Sequence, residues 1–251
     1  MSLRALGGGE LFGDRLVRFV YLDEAGISKP SDSPNVVVAG VIVDADKQWK
    51  AVEKHLLGLV EKFIPPVDRD GFYFHATDIH HGAKRTHRDR YSRPIRKQLL
   101  LELCAISDRF GLPIVAAYVP RAQLAREYPE ITPHDLTVNA HTIAAMACAG
   151  TVEKYMLAKA PAGEVATLVY ENNDSARQLI RDGHNYLQKP ESLEQAKQFD
   201  WPLAKVLPFQ RIVDTNTMGL LNGSSHLRVD RLQLYRTPGR PYRTGSGVTG
   251  S

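Results

Sequence analysis

Two adjacent carboxylates, Asp23 and Glu24, close an apolar run in RLVRFVYLDEAG and are the first residues whose types and placement could do chemistry. A charge carried into the interior of a sheet is costly unless it is paired or bound to a metal. Strand alternation sets Val17, Phe19, Tyr21 and Asp23 on one face and Val20, Leu22 and Glu24 on the other, so only one of the two acids can point directly into a shared site. A second apolar run, ATLVYENND, ends in Glu171, with Val165, Thr167 and Val169 on the same face. On neighbouring strands, these acids could hold a hard divalent cation, since Mg²⁺ takes oxygen ligands and typically one or two carboxylates plus substrate phosphates. Two such ions about 4 Å apart would clamp the attacking and leaving oxygens of a phosphodiester. The plainer reading is that Asp23 and Glu24 begin a polar turn and that Asp174 caps the helix SARQLI.

FHATDIHH holds three histidines and one aspartate in eight residues, donors enough for a borderline metal such as Zn²⁺ or Mn²⁺. Its spacing, H-x-x-D-x-H-H, is not that of the helical H-E-x-x-H zinc motif. It also departs from the H-x-H-x-D-H pattern of the metallo-β-lactamase fold. His75 is the candidate substrate contact or proton shuttle, and His80 and His81 are expected at the surface. Directly after it comes KRTHRDRYSRPIRK, with seven Lys or Arg against one Asp between Lys84 and Lys97. Such a run is either a solvated face or mobile loop, or a surface on which Lys84, Arg85, Arg88, Arg90 and Arg93 track the phosphates of a nucleic acid. There is no G-x-x-x-x-G-K-[ST] phosphate loop, no G-x-S-x-G nucleophile elbow and no paired C-x-x-C motif.

The elements that must position these residues follow from apolar periodicity. Leu16 to Asp23 and Val36 to Asp44 read as an antiparallel pair of strands, with Gly26 stopping the first. Asp46 to Phe63 keeps helical spacing through Trp49, Val52, Leu56, Leu59, Val60 and Phe63 until Pro65 and Pro66 end it. GFYFHATDI from Gly71 is expected as a third extended piece. Helices are predicted over Ile95 to Phe110, Pro133 to Ala158, Ser175 to Leu187 and Ser225 to Tyr235. Strands are predicted over Pro113 to Val119, Val165 to Glu171, Lys205 to Phe209 and Arg211 to Val213. The order implies an α/β protein, a mixed sheet flanked by helices and compatible with a ribonuclease-H-like core. A single domain over residues 16–235 is expected between a glycine-rich flexible leader (1–15) and a Gly, Pro and small-polar tail (236–251).

Composition excludes several classes. The chain has 251 residues, 43% hydrophobic and 24% charged, within the range of ordinary globular proteins. No apolar stretch is long enough for a membrane span, and the start lacks a signal-peptide core, so a cytoplasmic protein is expected. The formal charge of +4 leans mildly toward polyanionic partners. Cys104 and Cys148 sit in apolar helical patterns and are expected to be small buried hydrophobes.

With these residues in view, the chain resembles the family known as domain of unknown function 3800, which has a ribonuclease-H-like fold. YLDEAG resembles the family's opening Y-x-D-E-[SA]-G. The VVVAGVIVD strand with Trp49 after it, FHATDI, and VYENND at a later acid-ending strand follow in the expected order. The family's closing L-Q-x-A-D helix corresponds here to NGSSHLRVDRLQL, where Asp230 matches its aspartate if Arg228 stands for the glutamine and one residue is missing. The resemblance implies Asp23, Glu171 and Asp230 as metal-binding acids, Glu24 and His75 beside them, and Mg²⁺ or Mn²⁺ as cofactor. It implies metal-dependent cleavage of nucleic acid as the leading activity. A catalytically inactive nucleic-acid-binding or protein-interaction module, and a metal-dependent hydrolase or transferase on a small phosphate or sugar, are the alternatives.

Overall fold

The computed structural model describes residues 3–4, 10–11, 17–28, 33–170 and 174–213. Two short strands near the start, β1 (Leu3–Arg4) and β2 (Glu10–Leu11), pair antiparallel where the sequence predicts a flexible leader. The framework is a mixed five-stranded sheet of β3 (Val17–Ala25), β4 (Asn35–Asp44), β5 (Ile114–Pro120), β6 (Val165–Tyr170) and β7 (Ile212–Val213), in the order β5-β4-β3-β6-β7. The first three form an antiparallel meander, and β6 and β7 then run parallel to β3. Among the described residues no helix is long and apolar enough to cross a membrane.

One face of the sheet is sealed by α6 (Pro133–Lys159), opened by Thr132, whose hydroxyl accepts from the Asp135 amide. From Ala140 to Met156 this helix is buried on nearly every side, because β4 and β5 cover one flank and α7 (Asp174–Leu187) the other. Its alanines, Cys148 and Gly150 keep the helix thin enough to pack so closely, and a helix that is apolar all round belongs in an interior. Val20, Leu22, Val36, Val38 and Ile42 meet it from the sheet in the main core. The opposite face is covered at its lower end by α1 (Trp49–Phe63), where Trp49 stacks on Tyr21 with ring centroids 5.6 Å apart.

Residues 49–110 form a helical insertion between β4 and β5, containing α1, α2 (Ala76–His81), α3 (Arg93–Cys104) and α4 (Ile106–Phe110). It carries a satellite core of Leu59, Ile64, Ile79, Tyr91 and Leu99, to which Phe72 and Phe74 add an edge-on aromatic pair. Here the structure differs from the expectation. GFYFHATDI is not a sheet strand: its alternating aromatics plug the satellite core instead of a ladder, and the chain turns helical at Ala76. The long helix expected from Ile95 is broken at Ala105 into two. Lys205 to Phe209 is also not a strand, since Pro202 opens a 3₁₀ turn through Val206. Two short helices, α5 (Arg121–Glu127) and α8 (Pro190–Gln198), have no counterpart among the expected elements. Cys148 is buried as expected, whereas Cys104 is exposed on α3. The helix expected over Ser225 to Tyr235 and the expected tail lie outside the described residues.

Candidate active site

The strand alternation read from YLDEAG holds. Val20 and Leu22 are buried against α6, and Asp23 is exposed on the other face. Its Oδ1 accepts the Glu24 backbone N–H at 2.9 Å. A carboxylate tied down at one oxygen while the residue stays open to solvent is suited to receive a hydrated cation.

The neighbouring strand is β6. The parallel register pairs Tyr21 with Val169 and Leu22 with Tyr170, so β6 ends beside the residue that precedes Asp23. Glu171 is the next residue in the chain and lies outside the described residues, as does Asp230. The loop after Asp23 is fixed from below. Gly26 takes φ +79°, a conformation suited to glycine, with the Asn35 carbonyl pressed against its Cα where a Cβ would clash. Arg121, itself buried, donates to the carbonyl oxygens of Gly26, Ser28 and Ser33 and so holds the turn to the start of α5.

Glu24 points the other way, into the α6 face. Its Oε2 lies 3.9 Å from Nε2 of His141, with the two side chains 8% and 3% exposed. His141 Nε2 has no hydrogen-bond partner among the described residues. Burial pushes the imidazole pKa down, and the Glu24 charge opposes that shift. Deeper along the same faces, burial raises the Tyr170 phenol and pushes the Cys148 thiol up to about 11, which leaves both neutral and unreactive. His141 is absent from the candidates that motif and spacing single out. A signal for it exists, because a lone imidazole in NAHTIAAMACAG interrupts an otherwise small and apolar stretch.

His75 is placed by a different part of the fold. It precedes α2, is 45% exposed at its side chain, and its Nδ1 meets Oδ2 of Asp78 at 3.1 Å. A carboxylate on Nδ1 holds the ring's orientation and turns Nε2 away from that contact. Asp78 also faces Lys84 at 3.7 Å. Among the described residues, His75's polar contact is with Asp78 and not with Asp23 or Glu24. His80 and His81 are exposed, as expected.

The basic run proves to be partly structural. Arg96 is buried and donates to the carbonyls of Ile79, His80 and Tyr91, stitching α3 to the end of α2. Arg85 donates to the Gly71 carbonyl and lies over the Tyr73 ring at 4.7 Å. Arg90 pairs with Asp68 at 2.6 Å. Arg88, Arg93 and Lys97 are exposed, and Arg85 and Arg90 keep exposed positions despite their contacts. The segment is an ordered, cation-rich surface more than a loose loop.

Among the described residues there is no group of three or more His, Cys, Asp or Glu placed to hold a metal ion. The chain is thus an α/β protein with a mixed five-stranded sheet and an exposed carboxylate at the end of its central strand. No family model matches the chain, and no curated protein matches it.

Proposed function

We propose that the protein is a metal-dependent nuclease or phosphodiesterase that cleaves nucleic acid on a ribonuclease-H-like core, as its resemblance to the domain of unknown function 3800 family implies. The observation that carries this reading is the exposed Asp23 at the end of β3, beside the end of the parallel strand β6 that leads into Glu171. A meander of three antiparallel strands joined to two parallel ones, reached through helices, supports the fold assignment.

Asp23, Glu171 and Asp230 would hold one or two Mg²⁺ or Mn²⁺ ions, with the Asp23 and Glu171 carboxylates within about 8 Å of each other. The donor set fits, because all three are hard oxygen ligands and Asp23 presents an exposed carboxylate. When bound, the cations supply Lewis-acid stabilisation of the scissile phosphate. The chain's own residues do the rest. Glu24, turned into the interior, anchors the end of β3 from behind. His75, oriented by Asp78, is the group suited to carry a proton to or from the reacting phosphate. Arg85, Arg88, Arg90 and Arg93, with Lys84, hold the polyanion that the carboxylates would otherwise repel.

Incubating labelled single- and double-stranded DNA and RNA with the protein tests this. Cleavage is expected with Mn²⁺ or Mg²⁺ and none with EDTA. Binding without cleavage in every metal would instead favour an inactive nucleic-acid-binding module.

A further inference from the structure

The β5 edge of the sheet is unusually undefended. Among the described residues β5 pairs with β4 on one side and with no strand on the other. Edge strands are normally protected by charges, prolines within the strand or bulges. The sequence of β5, IVAAYVP, contains no charge, and its one proline is the last residue.

Strand geometry shows what the edge offers. The Ile42 amide donates to the Pro113 carbonyl, and the register pairs Gly40 with Val115 and Val38 with Ala117. In an antiparallel ladder hydrogen-bonded pairs alternate with non-bonded ones, so residues 115, 117 and 119 bond toward β4. Ile114, Ala116 and Tyr118 therefore direct their backbone groups outward. The same three residues turn their side chains to the face away from α6, where Ile114 is 63% and Tyr118 67% exposed. An incoming strand would thus satisfy the outward-facing backbone groups and set its own side chains against the flanks of Ile114 and Tyr118 on the open face.

We propose that the partner at this edge is a second copy of the chain, joined by antiparallel β5–β5 pairing about a two-fold axis at Ala116. The pattern is self-complementary. Centred on Ala116, Ile114 of each copy falls opposite Tyr118 of the other, a β-branched residue against an aromatic, with the smallest side chain at the axis. No charge on either strand opposes the contact, although the chain carries a net +4. Cross-strand contact between the flanks of these four side chains would remove at most about 500 Å² from water, given that an aromatic side chain carries about 150–250 Å². Even with the backbone added this falls short of the roughly 1,200–2,000 Å² of a standard stable interface, so the dimer is weak and dissociates on dilution.

Sedimentation velocity over a concentration series, from low to high micromolar, tests the proposal. The wild-type chain is expected to shift from monomer to dimer. Ile114→Lys/Tyr118→Lys, which places charges on exposed positions, is expected to stay monomeric with an unchanged far-ultraviolet circular dichroism spectrum. So is Ala116→Pro, which removes an outward N–H while sparing the β4 ladder. In a Cys104→Ser background, Ala116→Cys should form a disulfide-linked dimer under mild oxidation, because directly paired residues of this type have Cα atoms about 5.5 Å apart. A wild type monomeric at every concentration, a dimer that persists in the double-lysine variant, or a dimer that Ala116→Cys does not cross-link would overturn the proposal.

Discussion

The last strand of the sheet and the helical insertion between β4 and β5 are docked by buried ions of opposite sign. Where α6 meets β7 the organising ion is an acid, although a buried base, Arg121, holds the turn between β3 and β4. Glu153 of α6 is fully buried and accepts the backbone N–H groups of Gln210, Arg211 and Ile212, docking the chain that becomes β7. Nearby, buried Glu164 takes the Arg18 guanidinium at 2.9 Å. In the insertion the organising ion is a base, Arg96, which collects carbonyl oxygens from the end of α2 and from the turn before α3. The difference matters for function. Asp23 stands on a hydrogen-bonded ladder whose register fixes its place, whereas His75 and the arginines stand on a satellite core with its own packing.

The largest effect is expected where the acid organises the sheet. Glu153→Ala would leave the buried Ile212 backbone N–H and the part-buried N–H groups of Gln210 and Arg211 without their acceptor, at a cost of about 3–5 kcal/mol, read as a lower urea midpoint with one cooperative transition. Arg96→Ala should cost less, about 2–3 kcal/mol. It should also act locally: hydrogen exchange ought to quicken over residues 72–97 while β3 and β4 keep their protection. Equal loss of protection in both regions would show that insertion and sheet unfold as one unit.

A smaller effect separates the arginines. Arg88→Ala/Arg93→Ala removes exposed cations that have no structural ties among the described residues, so the fold should be unchanged. The log–log salt slope of oligonucleotide binding should become shallower by about 0.7–0.9 for each phosphate no longer neutralised. Arg85→Ala/Arg90→Ala should weaken binding and also loosen the insertion, because those side chains hold the Gly71 carbonyl and Asp68.

The smallest effect is a pH dependence from His141. Its burial lowers the folded-state pKa, so the unfolded chain takes up a proton first as pH falls. This contribution to stability is therefore fully present above the ordinary histidine value of about 6.5 and is lost as pH falls below it. His141→Gln should flatten that part of the stability profile, and an unchanged profile would mean that the imidazole titrates freely in the folded state.

Legibility in the sequence follows the same division. β3, β4, β5, β6 and α6 are readable to within a residue or two, because sheet alternation and a long apolar helix leave strong periodic patterns. The opposed directions of Asp23 and Glu24 follow from that alternation. The insertion is harder, because the alternating aromatics of GFYF mimic a strand and only tertiary packing reveals them as plugs for a small core. The structural share of the basic run is also hidden, since Arg96 at a buried position and Arg93 at an exposed one look alike in sequence. His141 escapes notice because its significance depends on Glu24, which lies 117 residues before it and meets it only across the fold.

The role proposed for Asp23, on the open face of the sheet, is that of a cation ligand for phosphodiester cleavage. The most direct test is the Mn²⁺- and Mg²⁺-dependent cleavage of oligonucleotides by wild type and Asp23→Asn. The substitution keeps the side chain's shape, removes the anionic ligand, and at an exposed position should change stability by no more than about 0.5 kcal/mol. The expected result is metal-dependent cleavage by the wild type and none by a folded Asp23→Asn. Cleavage retained by Asp23→Asn, or a wild type that cleaves nothing in either metal, would contradict it.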